Sequence, residues 1–173
     1  MPLHSARATT RPFRRVLTLL ACAAGLLLAA CTNQAAPLAE RIAAGESIRV
    51  GFANEPPYAY LDPDTGELTG EAPQVMRHVL EQLGGGGVEG VLTEFGALIP
   101  GLKAGRFDVI AAGMYVTKER AQEIAFSNPT YSMGEAFLVK QGNPLGLHAY
   151  ADVVQHATAR LGVVSGAIEL DYA

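Results

Sequence analysis

The 173-residue chain carries 13 Lys and Arg, 17 Asp and Glu, two Cys and no Trp, and 49% of its residues are hydrophobic. This composition is typical of a globular protein, excludes a disordered or collagen-like chain, and allows one domain and part of another. Four of the basic residues precede residue 31 and no acid precedes Glu40, so the remainder has nine basic residues against 17 acidic ones, a net charge of -8. A nucleic-acid partner is therefore not expected.

Residues 1–30 predict an export signal. Basic residues up to Arg15 precede an apolar run of 15 residues, 16–30, which is shorter than the roughly 20 residues of a transmembrane helix. Small residues before Cys31 resemble the lipobox of bacterial lipoproteins. Cleavage there would make Cys31 a lipid anchor and hold the protein in the periplasm or on the outer face of the cell membrane. The alternative is an ordinary secretory signal followed by a chance cysteine.

The remaining cysteine, Cys22, lies inside the apolar run and would be removed with it. A chain lipidated at Cys31 keeps no cysteine for a disulfide, a metal site or a nucleophile, and we expect no metal and no cofactor. Residues 31–45 are mostly small and polar, with a short helical possibility at 38–44, and are predicted to form a tether. Folding is expected to begin near Glu46.

Beyond residue 46, strand-like and helix-like segments alternate. Compact apolar runs predict strands at 48–53, 88–93, 107–112, 131–140 and 161–164, and a hairpin is predicted from 58–61 and 67–69. Apolar periodicity and capping residues predict helices at 72–83, 97–104, 117–124 and 151–155, with another opening at Ser165-Gly166. The first of these helices places Val75, Val79, Leu80 and Leu83 on one face. This alternation predicts an α/β fold.

Polar and aromatic side chains follow three of the predicted strands. In an open parallel sheet the ligand site lies beyond the carboxyl ends of the strands. The side chains there that could bind a small molecule are Glu55, Tyr58, Phe95, Tyr115 and, one turn into the next helix, Arg120. One acid, three aromatic rings and one guanidinium are therefore expected to converge.

Arg120 stands in the first turn of its predicted helix, behind Thr117 as N-cap, where the helix dipole disfavours a cation by a few tenths of a kcal/mol. A guanidinium beside unpaired backbone N–H groups is a good receptor for a carboxylate. The alternative is an ion pair with Glu123, three residues further on.

The three aromatic residues, taken singly, are more often core or cleft-wall residues than ligand contacts. Around one point they would bind a delocalised cation, each contributing roughly 0.5 to 2 kcal/mol. Glu55 would add the opposite charge, or would merely cap the rigid Pro56-Pro57 loop. With Arg120, the set describes a receptor for a small zwitterion.

Four motifs carry a family resemblance: GFANEPPY at 51–58, EAP at 71–73, LTEFGALIPGLKAGRFD at 92–108 and GMYVTKER at 113–120. They resemble extracytoplasmic solute-binding proteins of the polar-amino-acid type, over about residues 48–173. Within that family the likeness is greatest to the ectoine- and hydroxyectoine-binding components of ABC importers, which also share GEAF at 134–137. The family resemblance implies an α/β, periplasmic-binding-protein-like (type II) fold with two lobes.

For this chain the resemblance implies a nearly complete first lobe at 46–139 and the start of a truncated second lobe at 140–173. The 173-residue chain is therefore expected to bind a ligand weakly or not at all, because half of the cleft is missing. It implies Arg120 on the ligand carboxylate, Glu55 on a cyclic amidinium, the aromatic residues around the ring, and Glu169 facing the ligand from the second lobe. ABC permease subunits are the implied partners. Asp108 is assigned a structural role at a strand entry.

Other functions remain open at this point. Ile168 stands where amino-acid binders of the family commonly carry a hydroxyl residue, which disfavours an α-amino acid, although lysine, arginine and glycine betaine remain alternatives. The same fold resembles periplasmic cyclohexadienyl dehydratases, in which Glu55 could serve as an acid. The aromatic residues suit a cation better than an anionic dicarboxylate, so no enzymatic activity is expected.

Overall fold

A parallel sheet of three strands organises the computed structural model, which describes residues 36–172. The predicted signal peptide and the predicted lipidation site, Cys31, lie outside the described residues. The strands are β1 Ile48–Phe52, β2 Tyr60–Leu61, β3 Leu68–Thr69, β4 Val88–Leu92 and β5 Val109–Ile110. The helices are α1 Leu38–Ala43, α2 Glu71–Gln82, α3 Leu98–Lys103, α4 Lys118–Glu123 and α5 Tyr150–Gln155, with 3₁₀ turns at Phe95–Ala97 and Ile168–Asp171.

The first strand is the centre of the sheet. β4 and β5 pair with β1 on either side, both parallel to it, and Val50 is aligned with Gly90 on one neighbour and Val109 on the other. Ile48, Val50 and Phe52 are almost fully buried, as expected of a parallel strand covered on both faces. The predicted hairpin is confirmed as the antiparallel pair β2–β3.

The core consists of two clusters, which the alternation of side chains assigns to opposite faces of the sheet. One contains Val50, Phe52, Ala59, Leu68 and Ala111. The other contains Ala53, Phe95, Leu98, Phe107 and Ala112. In the second cluster the Phe107 ring occupies the space beside Gly51 and Gly101, since a Cβ on these glycines would lie 2.4 Å and 2.7 Å from ring atoms.

The buried face of α2 differs from the prediction. Leu80 is buried, but Val75, Val79 and Leu83 are 38%, 44% and 58% exposed. The face that packs inward instead runs through Pro73, Met76 and Leu80. Both sets have helical spacing, so periodicity could not choose between them, and the position of the sheet decides.

The folded region begins at Leu38 and not near Glu46, because the compact unit that contains the sheet starts at Leu38 and includes α1. The Arg41 guanidinium donates to Asp108 at 2.9 Å and to Glu46 at 3.0 Å. Arg49 donates to Asp108 from its side chain at 2.8 Å and from its backbone N–H at 3.0 Å. The predicted tether therefore contains a docked helix, and Asp108 stands at the entry to β5, as its predicted structural role requires.

Two predicted strands are absent from the described part of the chain. Residues 131–140 and 161–164 are irregular, and no backbone–backbone hydrogen bond pairs residues 131–139 with a neighbour within 36–172. An apolar, β-favouring run becomes a strand only when another strand pairs with it. The helix expected from Ser165 onward is a single 3₁₀ turn. Within residues 36–172, no helix has the length and apolar character needed to cross a bilayer.

Candidate ligand-binding site

The loops that follow β1 and β5 meet at the carboxyl edge of the sheet. Tyr58 lies directly against Gly113, where an added Cβ would approach the Tyr58 ring to 3.1 Å. Gly113 also has a positive φ of 61°, a conformation that favours glycine. The structure therefore brings the predicted site residue Tyr58 beside the turn that leads to Tyr115.

A segment around Met133 crosses this edge. The Tyr58 hydroxyl donates to the Met133 sulfur at 3.3 Å, and the Tyr115 hydroxyl donates to the Met133 carbonyl at 3.5 Å. Burial and the nearby Glu71 raise the pKa of the Tyr131 hydroxyl. Two predicted site residues are thus joined through a residue that the sequence analysis placed in a strand and gave no role.

Arg120 has the predicted helix position but not the predicted local partner. Thr117 Oγ1 accepts from the Arg120 N–H at 3.2 Å and caps α4. The Arg120 guanidinium donates to the carbonyls of Tyr115 at 2.9 Å and Gly166 at 3.0 Å. Glu123, the alternative partner, pairs with Lys103 at 2.8 Å. The other guanidinium N–H groups make no hydrogen bond within the described residues and could meet a carboxylate.

Phe95 is a core residue that shows one face to the site. Its side chain is 9% exposed and packs in the second cluster. The Arg120 guanidinium carbon lies 5.6 Å from the centroid of its ring, within the range of a cation–π interaction. Phe95 therefore supports Arg120, whereas Tyr58 and Tyr115 are only half-buried and more accessible to a ligand.

Glu169 is the carboxyl group whose charge acts on two others, Glu55 and Glu135. Burial, and then the charge of Glu169, raise the pKa of Glu55. Partial loss of solvent and the same Glu169 charge raise the pKa of Glu135. The Glu169 Oε2 atom is buried and accepts no hydrogen bond among the described residues. A cation placed here would relieve the repulsion and satisfy the buried oxygen.

The Glu55 side chain does not cap the loop that it precedes. The turn after it is held by backbone bonds, from the N–H of Tyr58 and Ala59 to the Glu55 carbonyl at 2.9 Å and 3.2 Å. Within residues 36–172 its carboxylate makes no hydrogen bond to a backbone N–H. Its charge is left available to the site.

A cavity of about 730 Å³ opens at this edge and is lined by Ala53, Asn54, Glu55, Leu92, Thr93, Glu94, Phe95 and Val164. Its volume lies in the range of small-molecule sites. A smaller cavity of about 370 Å³, lined by Arg77 and Gly90 among others, lies between the hairpin and β4, away from these residues.

Sequence analysis missed Met133 and the role of Glu135. The GEAF motif at 134–137 was part of the family resemblance and was the available signal for Glu135.

Parallel strands with acidic and aromatic side chains and one arginine beyond their carboxyl ends are typical of a solute-binding domain of the periplasmic-binding-protein class. Residues 48–168 match the profile of the bacterial extracellular solute-binding proteins, family 3, and the chain belongs to that family. The predicted family and the α/β periplasmic-binding-protein-like fold are thereby confirmed.

The relatives that the chain resembles are about twice as long. It is 42% identical over 153 residues to a probable amino-acid ABC transporter periplasmic-binding protein, y4tE, of Sinorhizobium fredii, covering 87% of this chain and 50% of that protein. The structure of EhuB in complex with hydroxyectoine is 35% identical, with a TM-score of 0.68, covering 78% of this chain and 52% of that one. An ancestral amino-acid-binding protein, AncCDT-1, described as a precursor of cyclohexadienyl dehydratase, is 30% identical, with a TM-score of 0.59 and coverages of 68% and 51%. The chain thus spans about half the length of these proteins.

Proposed function

We propose that the chain contributes the ligand-capturing lobe of an ABC importer component that binds ectoine, hydroxyectoine or a similar small zwitterion. The observation that carries the proposal is that a guanidinium and carboxyl groups stand together at the carboxyl edge of the sheet. Arg120 lies over Phe95, and Glu169, whose Oε2 atom is buried, acts by its charge on both Arg120 and Glu55. The likeness to EhuB, a hydroxyectoine complex, supports the same ligand class.

Each side chain has a role in this proposal. The unused N–H groups of Arg120 bind the ligand carboxylate, since a planar guanidinium matches a carboxylate in a bidentate geometry. Glu55 and Glu169 receive the amidinium. Tyr58 and Tyr115 cover the ring of the ligand, and Phe95, which lines the cavity, supports the Arg120 guanidinium that lies over its ring.

The proposal also includes the mode of action and the location. The protein closes two lobes around the solute and delivers it to membrane permease subunits without forming a bond to it. Lipidation at Cys31 holds it on the outer side of the cytoplasmic membrane or in the periplasm. The relatives named as ABC transporter binding proteins support transport over catalysis.

The second candidate is a basic amino acid, and Glu135 is the observation that favours it. A third carboxyl group beside Glu169 suits a ligand with an additional positive charge, such as arginine or lysine. An anionic dicarboxylate suits the site least, because it would meet the same three carboxyl groups. The dehydratase alternative is therefore disfavoured.

Calorimetric titration with ectoine, hydroxyectoine, arginine, lysine and glycine betaine tests the ligand. Ectoine or hydroxyectoine should bind most tightly, and a protein with both lobes should reach a micromolar Kd, about -8 kcal/mol. Tighter binding of a basic amino acid would overturn the ectoine assignment. Turnover of prephenate without ectoine binding would overturn the transport assignment.

A further inference from the structure

Gly96 and Gly166 bring two distant parts of the chain into backbone contact. A Cβ on Gly166 would lie 2.5 Å from the Cα and 3.2 Å from the nitrogen of Gly96, and a Cβ on Gly96 would lie 3.1 Å from the Ser165 carbonyl oxygen. Gly166 also has a φ of +80°, which side chains other than glycine rarely adopt. The approach therefore depends on both residues lacking a side chain.

Arg120 holds the same peptide from another side. Its guanidinium donates to the Gly166 carbonyl at 3.0 Å while a second N–H donates to the Tyr115 carbonyl at 2.9 Å. The guanidinium also lies over the ring of Phe95, the residue that precedes Gly96. Gly166 is thus fixed by a backbone contact and a charged hydrogen bond, and both originate from the carboxyl edge of the sheet.

The chain continues from Gly166 directly into the turn that carries Glu169. Ala167 packs against the core cluster that contains Phe95, and the 3₁₀ turn Ile168–Asp171 follows. Two residues separate Gly166 from Glu169, whose charge raises the pKa of Glu55. Since residues 113–172 contain no buried residue, they supply little packing of their own to fix this turn.

We propose that Gly166 and Gly96 are positioning residues, whose contact sets the Glu169 carboxylate opposite Glu55 in the ligand site. The contact is made by residues of this chain alone, so its positioning role rests on the proposed function only for the identity of the solute. Sequence analysis identified Ser165-Gly166 solely as a helix start, because the approach of residues so far apart in sequence is not visible in a local pattern.

The test uses Gly166→Ala in the full chain, with Gly162→Ala as the matched control. A Cβ on Gly166 meets Gly96, whereas a Cβ on Gly162 meets no atom within 4 Å and its φ is not in the positive region. The two variants therefore make the same chemical change in the same segment, but only one disrupts the contact. Gly96→Ala is a milder second variant, since its Cβ would stand 3.1 Å from the nearest atom.

The readout is the titration of the Glu55 carboxyl carbon by NMR without ligand, a measurement that a purely structural role would not move. The charged neighbour that acts on Glu55 is Glu169, whose own surroundings include Glu135, Tyr115, Tyr150 and Arg120. Glu169→Gln should lower the Glu55 pKa and so calibrate the contribution of that charge. Gly166→Ala should reproduce most of this lowering, Gly96→Ala a smaller part, and Gly162→Ala none.

Amide signals of β1 report whether each variant retains its sheet. An unchanged Glu55 titration in Gly166→Ala with β1 intact would overturn the proposal, as would an equal effect of Gly162→Ala. If Gly166→Ala does not fold, Gly96→Ala decides by the same criterion. Failure to bind ectoine leaves this ligand-free result unaffected, so the two proposals fail separately.

Discussion

Two regions of the chain, 48–112 and 113–172, differ in how many of their side chains are buried. Every buried residue of the described chain lies in the first region, between Ile48 and Ala112. The second region has helices of six residues or fewer and exposes apolar side chains such as Leu138, at 102%, and Val154, at 81%. Yet the second region supplies Arg120, Met133 and Glu169 to the site. One part of the site therefore lies on the packed core, and the other part is fixed only by a few specific contacts. Regions with few buried contacts, such as the second, open most easily.

The largest difference between the regions should appear in stability. Phe107→Ala should lower the free energy of unfolding by about 3 to 5 kcal/mol, because its ring fills the space beside Gly51 and Gly101 in the core. Leu138→Ala, in the second region, should change it by less than about 0.5 kcal/mol, because Leu138 is fully exposed. Urea unfolding measures both, and equal losses would contradict the contrast.

Ligand binding should depend on the second region through Arg120. Arg120→Ala should weaken binding of ectoine by about 2 kcal/mol or more, because the carboxylate of the bound ligand loses the guanidinium that pairs with it. Lys103→Ala is the control, because it removes a cation whose only ion pair in the described structure is the exposed one with Glu123. Calorimetry on both variants measures the change, and wild-type affinity in Arg120→Ala would rule out its role on the carboxylate.

Acid should weaken the first region through Asp108. Although burial opposes ionisation, the hydrogen bonds from Arg49 and Arg41 hold the pKa of Asp108 well below its usual range. A lowered folded-state pKa means that this stabilisation is present above the unfolded pKa of about 3.9 and is lost progressively as pH falls from there through the folded pKa. Asp108→Asn should cost about 1 to 2 kcal/mol at pH 7 and flatten this acid limb. Unfolding curves between neutral and acidic pH test it, and an unchanged acid limb would contradict it.

The smallest effect should be a gain of stability in the site itself. The pKa of Glu55 is raised in the folded state, first by burial and then by Glu169, so its contribution favours folding at low pH and is lost as pH rises through the folded pKa. Glu55→Gln should therefore stabilise the free protein at pH 7 by about 0.5 kcal/mol, while weakening ectoine binding. Thermal unfolding and calorimetry on this variant measure the two changes. A loss of stability with unchanged binding would contradict the assignment of Glu55 to the site.

The predictability of the fold follows the same division. The strands β1 and β4 and the helix α2 were predictable because compact or periodic apolar runs specify them locally. Residues 131–140 have an equally apolar sequence, but strand formation requires a paired neighbour, which propensity cannot reveal. In the site, the positions of Glu55, Tyr58 and Arg120 followed from the ends of strands. The bonds from Arg120 to Gly166 and from Tyr58 to Met133 depend on long-range approach and could not be predicted.

The most direct test of the proposed ligand site is to map the bound solute by NMR, following backbone and side-chain signals during titration with hydroxyectoine. The account predicts that the largest shifts occur at Glu55, Tyr58, Tyr115 and Arg120, at the carboxyl edge of the sheet. Shifts concentrated at Arg77 and Gly90, in the cavity between the hairpin and β4, with the carboxyl edge unchanged, would contradict it.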